Sequence, residues 1–290
     1  MSAAPIGALQ AGLEVHCDSV VHLYPNSGGD VVALRGVDLD VDSGEAVAML
    51  GPSGSGKSTL LALLAGLLRP SSGHVMLGTL DLGRLSNQQL LQMRSREISL
   101  MLQEPMRNLL GFATAEQNIG VAQRGMRRSR SDPPPRRPTE LLEMLGMGAL
   151  AGQTVATLSG GEQQRVAIAA AAATGPALML LDEPTSELDR ASRDLVVELL
   201  LKVHQELGTT LIVVTHDPEV AGAMPRTVTI RDGRVGAEGR QGVEYAVVGR
   251  DGSVQLPPDV LEWIPAGTLL RVRRHAAGVD LRNPEMESDG

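Results

Sequence analysis

The segment GPSGSGKST, at positions 51–59, constrains the fold of this chain more than any other. It follows the apolar stretch AVAML, which is typical of a buried strand, and opens KSTLLALLAGLL, which is typical of a helix. It fits the pattern G-x-x-x-x-G-K-[ST], in which glycines let backbone N–H groups wrap around phosphate. A strand, this loop and a helix in succession predict a phosphate-binding P-loop, and a plain glycine-rich turn is the alternative.

Each residue type in the loop has its own use toward a nucleoside triphosphate. Backbone N–H groups from Gly54 to Thr59 would surround the phosphates, and Lys57 would lie against the β- and γ-phosphates. The hydroxyl of Ser58 would ligate Mg²⁺. The candidate nucleotide-binding residues here are Gly51, Pro52, Ser53, Gly54, Ser55, Gly56, Lys57, Ser58 and Thr59.

The rest of the chain predicts an α/β fold around this loop. The apolar segments 177–182 and 209–215 are typical of buried strands, with a helix at 190–207 between them. Alternating buried strands and helices indicate a mostly parallel sheet covered on both faces. Residues 13–50 alternate in period two, and residues 86–175 are mostly helical. We therefore expect a P-loop NTPase fold with a mostly parallel core sheet, an antiparallel β subdomain, a helical subdomain and a small C-terminal β-rich module.

Four polar side chains stand at predicted strand ends. Asp182 is placed to hold Mg²⁺, and Glu183, one residue on, could take a proton from the attacking water. Gln103 in LMLQEP and His216 in VVTHDP are expected at the same sheet edge, because ligands bind beyond the carboxyl ends of parallel strands. Taken singly, each has a plain alternative: an acidic strand end facing solvent, or a polar group satisfied by its neighbours.

The stretch LSGGEQQR, at 158–165, combines a helix start with two glycines that a helix start does not need. Ser159 and Glu162 have the S-x-x-E spacing of a capping box. Gly160 and Gly161 weaken the first turn by about 1 kcal/mol each relative to alanine. Glycine allows close approach to the backbone, and free N–H groups at a helix N-terminus attract anions. The stretch could therefore hold a phosphate.

Five ordered elements together make the chain resemble the ATP-binding subunit of ABC transporters: GPSGSGKST, LMLQEP, LSGGEQQR, LMLLDEPTSELD and VVTHDP. The resemblance covers about residues 13–240 and implies ATP as substrate with Mg²⁺ as cofactor. It also implies that two subunits pack head to tail with two ATP molecules between them. Ser159, Gly160 and Gly161 would then bind the γ-phosphate of the ATP held by the second copy.

The same resemblance implies roles for four further residues. His216 would hold the γ-phosphate, and Gln103 would sense Mg²⁺ and the lytic water. Asp189 in SELD would tie the two sites together. Tyr24 stands where the family has an aromatic residue that stacks on adenine, and a structural tyrosine is the rival interpretation.

Within the family, GPSGSGKSTLLALLAGLLRPSSGHV and NLLGFATAEQNI look most like the lipoprotein-releasing, macrolide-exporter and cell-division branch. Two departures are TSELD in place of the usual TGNLD, and Ala170 in place of an arginine. The branch implies two partners, a membrane permease and a second copy, and a peripheral location at the cytoplasmic face of the inner membrane. Export or mechanical signalling across the membrane would be the role. A soluble ABC ATPase not coupled to transport is the alternative.

Composition excludes several other classes. The net charge of −8 and the pI of about 5.3 argue against nucleic-acid binding by the whole chain. The single cysteine, Cys17, excludes an internal disulfide framework and a multi-cysteine zinc site, and its strand-like surroundings predict a buried thiol. No apolar run approaches the ~20 residues of a membrane span, and residues 1–12 lack the features of a signal peptide. We therefore expect a soluble, intracellular chain.

Residues 242–284 are expected to form a separate unit. VVGRDGSVQLPPDVLEWIPAGTLLRVRR resembles the AbrB-like swapped-hairpin module, which is a dimer of interleaved strands. We expect a strand, a turn at Asp251-Gly252, a strand running into LPPDVLEWI, and two more strands. Eight acidic against five basic residues across 242–290 favour dimerisation or regulation over DNA binding. Residues 1–12 and 285–290 are expected to be disordered.

Overall fold

The computed structural model describes residues 12–125, 135–240, 243–249, 252–256, 258–265, 267–276 and 278–283, so residues 1–11, Asp251 and the tail 285–290 lie outside it. In chain order the strands are β1 (Val15–Tyr24), β2 (Val31–Val41), β3 (Ala46–Leu50), β4 (Ser72–Leu77), β5 (Leu80–Asp81), β6 (Ile98–Met101), β7 (Leu178–Asp182), β8 (Thr210–Thr215), β9 (Arg226–Arg231), β10 (Arg234–Arg240), β11 (Val243–Ala246), β12 (Arg271–His275) and β13 (Gly278–Arg282). The helices are α1 (Lys57–Leu64), α2 (Asn87–Arg96), α3 (Ala115–Arg124), α4 (Pro138–Met144), α5 (Gly160–Ala172), α6 (Arg190–Leu207), α7 (Pro218–Gly222) and α8 (Pro258–Trp263).

The main sheet has seven strands in the order β11-β10-β9-β3-β8-β7-β6. From β9 to β6 every neighbouring pair is parallel, and β10 and β11 extend that edge antiparallel. Strands β1, β2, β4 and β5 form a second, antiparallel sheet in the order β2-β1-β4-β5. The predicted combination of a mostly parallel core, an antiparallel subdomain and helices is confirmed.

The central strands divide their side chains between two hydrophobic cores. On β3, Ala46 and Ala48 belong to the core that contains α5 and α6, whereas Val47 and Met49 belong to the core that contains α1 and the antiparallel sheet. Successive side chains of a strand point to opposite faces, so a strand with helices or a sheet on both sides must be apolar throughout. This explains why segments such as ALMLLD carry no polar residue before their last position.

A buried arginine links the two sheets. Arg226 on β9 is only 5% exposed. Its Nη1 donates to the carbonyl of Asp40 at 2.7 Å and lies 3.1 Å from Oε2 of Glu45, and its Nη2 donates to Oε1 of Glu238 at 2.7 Å. Removing Arg226 would leave the largely buried carboxylates of Glu45 and Glu238 without this cation, which is destabilising.

Helix α5, which begins within LSGGEQQR, starts where its capping box predicts. Ser159 is the N-cap of α5, with its Oγ 3.4 Å from the N–H of Glu162, and Oε2 of Glu162 accepts from the N–H of Ser159 at 2.8 Å. Helix α6 has the predicted bounds, because Asp189 caps its start and Gly208 takes a left-handed conformation at its end.

Cys17 on β1 is buried, as expected for a structural thiol. Burial, with smaller contributions from the Asp40 and Asp38 carboxylates, raises the pKa of the thiol to about 12. The thiolate, which is the reactive form, is therefore not populated at neutral pH in the folded protein.

The C-terminal segment differs from its prediction at its first strand. Strand β11 pairs with β10 in the main sheet, and the N–H of Val247 donates to the carbonyl of Gly236 at 3.0 Å. The boundary predicted at residue 242 therefore lies between two paired strands of one sheet.

Residues 258–263, predicted to end a strand, form helix α8 instead, with proline at its first position, where the missing N–H costs nothing. Strands β12 and β13 form an antiparallel hairpin.

Within the ranges given above, no helix has both the length and the apolar character that crossing a membrane requires.

Candidate active site

Four neighbouring strands deliver the predicted site residues to one edge of the main sheet. Strand β3 ends at the P-loop, β6 is followed by Gln103, β7 ends in Asp182 and β8 is followed by His216. These strands are adjacent and parallel in the order β3-β8-β7-β6, so their carboxyl ends lie side by side. That edge is where open α/β sheets bind ligands.

Glycines in the P-loop are required by the chain's own backbone. A Cβ on Gly51 would lie 2.1 Å from the carbonyl oxygen of Ile230, and a Cβ on Gly56 would lie 2.6 Å from that of Ala33. Gly54 and Gly56 also have positive φ angles of 79° and 102°, which side chains disfavour. The loop is therefore shaped by close backbone packing before any ligand is considered.

Lys57 is held inside this loop. Its Nζ donates to the carbonyls of Gly51 at 2.7 Å and Pro52 at 3.0 Å. Burial lowers the pKa of the Lys57 ammonium, and the negative charges of Glu183 and Asp182 oppose that shift. The two carboxylates thus favour the charged form of the ammonium.

Ser58 and Asp182 form an oxygen pair that suits a magnesium ion. The hydroxyl of Ser58 donates to Oδ1 of Asp182 at 3.3 Å. Burial raises the pKa of the Asp182 carboxyl, partly offset by the Ser58 hydrogen bond. A half-buried carboxylate is stabilised by a cation, and hydroxyl and carboxylate oxygens are the ligands that Mg²⁺ prefers. The residues present therefore fit the ion.

Glu183 and His216 are in direct contact. Nδ1 of His216 lies 2.9 Å from Oε1 of Glu183. Glu183 has a positive φ of 50°, and its N–H donates to the carbonyl of Val214 at 2.9 Å. A left-handed backbone at a non-glycine residue costs about 1–3 kcal/mol and is concentrated at functional sites.

Gln103 joins the same group through a serine that the sequence analysis did not select. Its Nε2 donates to Oγ of Ser186 at 3.2 Å, and that hydroxyl donates to the carbonyl of Glu183 at 3.2 Å. Gln103, Gly160, Glu183 and Ser186 line one small pocket. The only signal for Ser186 in the sequence was its place in LDEPTSELD, directly after the carboxylates.

The remaining predicted residues lie around this centre. A Cβ on Gly160 would meet no atom within 4 Å, and a Cβ on Gly161 would contact only Ser192, at 3.4 Å. Tyr24 is partly exposed, its hydroxyl is 3.3 Å from Oγ1 of Thr59, and its ring packs edge-on against His22 at 4.7 Å. This geometry leaves both interpretations of Tyr24 open.

Asp189 lies outside the cluster of catalytic candidates, at the start of α6. Its two carboxylate oxygens accept from the backbone N–H of Ser192 at 2.9 Å and from the Ser192 hydroxyl at 3.1 Å. These bonds lower the pKa of the Asp189 carboxyl.

Comparison with known proteins places this geometry in a family. The ABC transporter family profile matches residues 34–186. The chain is 41% identical over 206 residues to the lipoprotein-releasing system ATP-binding protein LolD of Anaeromyxobacter dehalogenans, covering 71% of this chain and 85% of that protein. It is 42% identical over 222 residues to an uncharacterised ABC transporter ATP-binding protein of Thermotoga maritima, covering 74% of this chain and 90% of that protein.

A longer relative and a solved structure are also similar to this chain. The macrolide export ATP-binding/permease protein MacB 1/2 of Paracoccus denitrificans is 40% identical over 225 residues, which are 77% of this chain but only 33% of that protein. The dimeric structure of the ATP-binding cassette MJ0796 bound to ADP and Pi is similar, with a TM-score of 0.69, 34% identity, and coverage of 78% of this chain and 98% of that one.

The P-loop, the two carboxylates, the glutamine and the histidine meet at one sheet edge, and both comparisons agree with that arrangement. The chain therefore belongs to the ABC transporter family, as an ATPase cassette that takes ATP as substrate and Mg²⁺ as cofactor.

Proposed function

We propose that two copies of this chain close head to tail around two ATP molecules and so drive a membrane permease. The observation that carries the head-to-tail arrangement is the open space at Gly160. Gly51 and Gly56 must be glycine because the chain's own backbone approaches them closely. In contrast, a Cβ on Gly160 would meet nothing within 4 Å.

Gly160 is thus a glycine that contacts within the chain do not require, and in this proposal it leaves room for a group from outside the chain. Its φ is not among the positive ones, so the backbone conformation does not require glycine either. Its place in the first turn of α5 costs about 1 kcal/mol relative to alanine. The N-terminus of α5 offers backbone N–H groups and a positive dipole end, which suit a phosphate. We assign Ser159, Gly160 and Gly161 to the γ-phosphate of the ATP on the second copy, and MJ0796, a dimer with ADP and Pi, supports this.

Within one copy, the proposed roles follow from the charge and position of each side chain. Lys57 binds the β- and γ-phosphates, exchanging its two carbonyl partners for phosphate oxygens. Ser58 and Asp182 would hold Mg²⁺, which neutralises charge on the phosphate oxygens when bound. Gln103, whose Nε2 donates to Ser186, would contact the ion and the water, and the partly exposed Tyr24 would stack on adenine.

Hydrolysis needs a base for the attacking water, and we assign that role to Glu183. Oε1 of Glu183 is held by Nδ1 of His216, which orients the carboxylate and leaves Oε2 to accept the proton. His216 can also hold the γ-phosphate through its other ring nitrogen. Asp189, at the start of α6, would face the second copy and tie the two sites together.

The Glu183→Gln variant should bind ATP, hydrolyse it about 10²–10⁴-fold more slowly, and accumulate as an ATP-bound dimer. The amide keeps the shape of the side chain but cannot take a proton. Phosphate release measures hydrolysis, and light scattering with ATP and Mg²⁺ measures the dimer.

Glu198→Gln is the matched control, because Glu198 is an exposed carboxylate on α6. It should behave as the wild type in both measurements. Near-normal turnover in Glu183→Gln would remove Glu183 as the base, and a monomeric state with bound ATP would contradict the dimer.

The permease contact is assigned to a group of exposed apolar side chains just after Gln103. Met106 and Leu110 are partly exposed, and Phe112 is 83% exposed. Exposed apolar patches are a common feature of interaction sites. This group follows Gln103, the residue proposed to sense Mg²⁺ and the lytic water, so a partner bound there would be linked to the nucleotide state. LolD and MacB, whose names refer to lipoprotein release and macrolide export, favour an exporter or a signalling complex at the cytoplasmic face of the inner membrane.

Glu183→Gln with ATP should recover an integral membrane protein from native membranes, identified by mass spectrometry. Adding Phe112→Glu should lower that recovery about 10-fold or more, as loss of an interface hot spot does. Leu91→Glu, which changes an exposed apolar residue outside this group, should leave the recovery unchanged. A partner with few helices and a large external domain fits the branch, a many-helix permease indicates import, and recovery of only ribosomes or DNA would contradict the transport role.

For the C-terminal hairpin we propose the dimerising role that its AbrB-like resemblance implies. Val272 pairs directly with Leu281, and Arg274 with Val279, so one face of the hairpin carries three apolar side chains. All three are exposed. Residues 258–283 are too few to bury such a face alone, since units below about 40 residues usually need disulfides, metals or oligomerisation. A second copy of the hairpin would cover it, and DNA binding by this unit is the alternative.

Deleting residues 258–290 should leave ATP binding intact and weaken dimerisation without nucleotide. The deletion begins after β11, because removing β11 would expose the edge of β10. Sedimentation equilibrium measures the dissociation constant. The pair Val272→Asp with Leu281→Asp should have the same effect in the full chain. An unchanged constant in both would contradict the proposal, and loss of DNA binding instead would favour the alternative.

A further inference from the structure

Arg193, in the first turn of α6, joins that helix to the loop that follows His216. Its side chain is only 16% exposed. Its Nη1 donates to Oδ2 of Asp217 at 2.8 Å, its Nη2 contacts Glu219, and its Nε lies 3.3 Å from Oδ1 of Asp194. Three carboxylates thus surround one guanidinium.

The same residue is tied to Asp189 through its backbone. The N–H of Arg193 donates to the carbonyl of Asp189 at 2.8 Å, in the first hydrogen-bonded turn of the helix. Movement of Asp189 therefore moves Arg193, because a hydrogen-bonded helical turn shifts as a unit.

Asp217, the partner of Arg193 in the ion pair, is held in place beside His216. Its N–H donates to Oγ1 of Thr215 at 3.0 Å, and its Oδ1 accepts from the N–H of Glu219 at 2.8 Å, capping α7. Asp217 is bonded directly to His216, whose Nδ1 contacts Glu183. The path from Asp189 to the proposed base is therefore continuous: a helix turn, an ion pair, a peptide bond and a hydrogen bond.

The ion pair is suited to carry this linkage. Asp217 is 26% exposed, so both partners are largely removed from water and their bond is screened less than a surface pair. Burial works against the charged form of Asp217, but the hydrogen bond from Glu219 and the charge of Arg193 lower the pKa of its carboxyl overall. Both groups are therefore charged at neutral pH. Arg190, one turn earlier in sequence, is 78% exposed and lies 3.7 Å from Glu219, so it provides a comparison.

We propose that Arg193 is a positioning residue that makes the placement of His216 depend on the position of Asp189, and thereby on contact with the second copy. This rests on the proposed function, in which Asp189 faces the second copy and His216 orients Glu183. A protomer without its partner would then hold His216 less firmly, so that hydrolysis follows dimer closure.

The test is steady-state ATP hydrolysis by the full chain with a double-mutant cycle. Arg193→Ala should lower kcat about 10-fold, as expected for losing a charge-assisted bond that positions a catalytic group, with little change in KM or in the unfolding temperature. Asp217→Asn keeps the oxygen that caps α7 but loses the charge, and it should lower kcat to a similar extent. The double variant should be no slower than either single variant, since both remove one linkage. Arg190→Ala should match the wild type.

His216→Ala, measured alongside, separates the two claims. A loss in His216→Ala together with wild-type kcat in Arg193→Ala would overturn this inference alone. A wild-type kcat in His216→Ala would overturn the role proposed for His216, and the inference with it. Additive losses in the double variant, or a fall in unfolding temperature that accounts for the lost activity, would also overturn it, because Arg193 would then act on stability and not through His216.

Discussion

Burial of the central parallel strands on both faces is the constraint on which the rest of the structure depends. Side chains of β3 and β7 alternate between two hydrophobic cores, so these strands have no polar residue until they reach their carboxyl ends. At those ends the polar residues emerge together: the P-loop after β3, Asp182 on β7 and His216 after β8. The packing that stabilises the fold thus also assembles the site, and a change that shifted one strand would displace both.

Under the proposed function, the site that results is only half of a complete ATP site. Phosphate-binding backbone, a lysine, a pair of oxygen ligands and a histidine-held glutamate all come from one chain. The start of α5, which the proposed function makes the second anion-binding element, has open space at Gly160. The proposed second copy supplies what each half lacks, which would make hydrolysis depend on association. The Arg193–Asp217 pair would link association of the two copies to the placement of His216 in the site.

Much of this could be predicted from the sequence, because the informative patterns are local. The P-loop, the capping box at Ser159 and the bounds of α6 each depend on residues a few positions apart, and the order of motifs identified the family. Contacts made by distant residues could not be predicted in this way. The ion pair of Arg193 with Asp217 spans 24 positions, and no spacing rule connects them. The sequence predicts β11 in a separate unit because its own residues do not show which strand it pairs with. The left-handed backbone of Glu183 accompanies a hydrogen bond from its N–H to Val214 on another strand, a contact that no local pattern predicts.

The central claim is that each ATP site is built from two copies, and a mixing experiment tests it most directly. Lys57→Ala disables the P-loop, and Gly160→Asp places a negative charge at the N-terminus of α5, where there is room for it and where it repels phosphate. Each variant alone should be inactive. In a one-to-one mixture, half of the dimers would contain one site with both elements intact, so about a quarter of wild-type ATPase activity should return. If the mixture stayed inactive while its heterodimers were shown to form, or if Gly160→Asp alone retained full activity, the account of a shared site would be wrong.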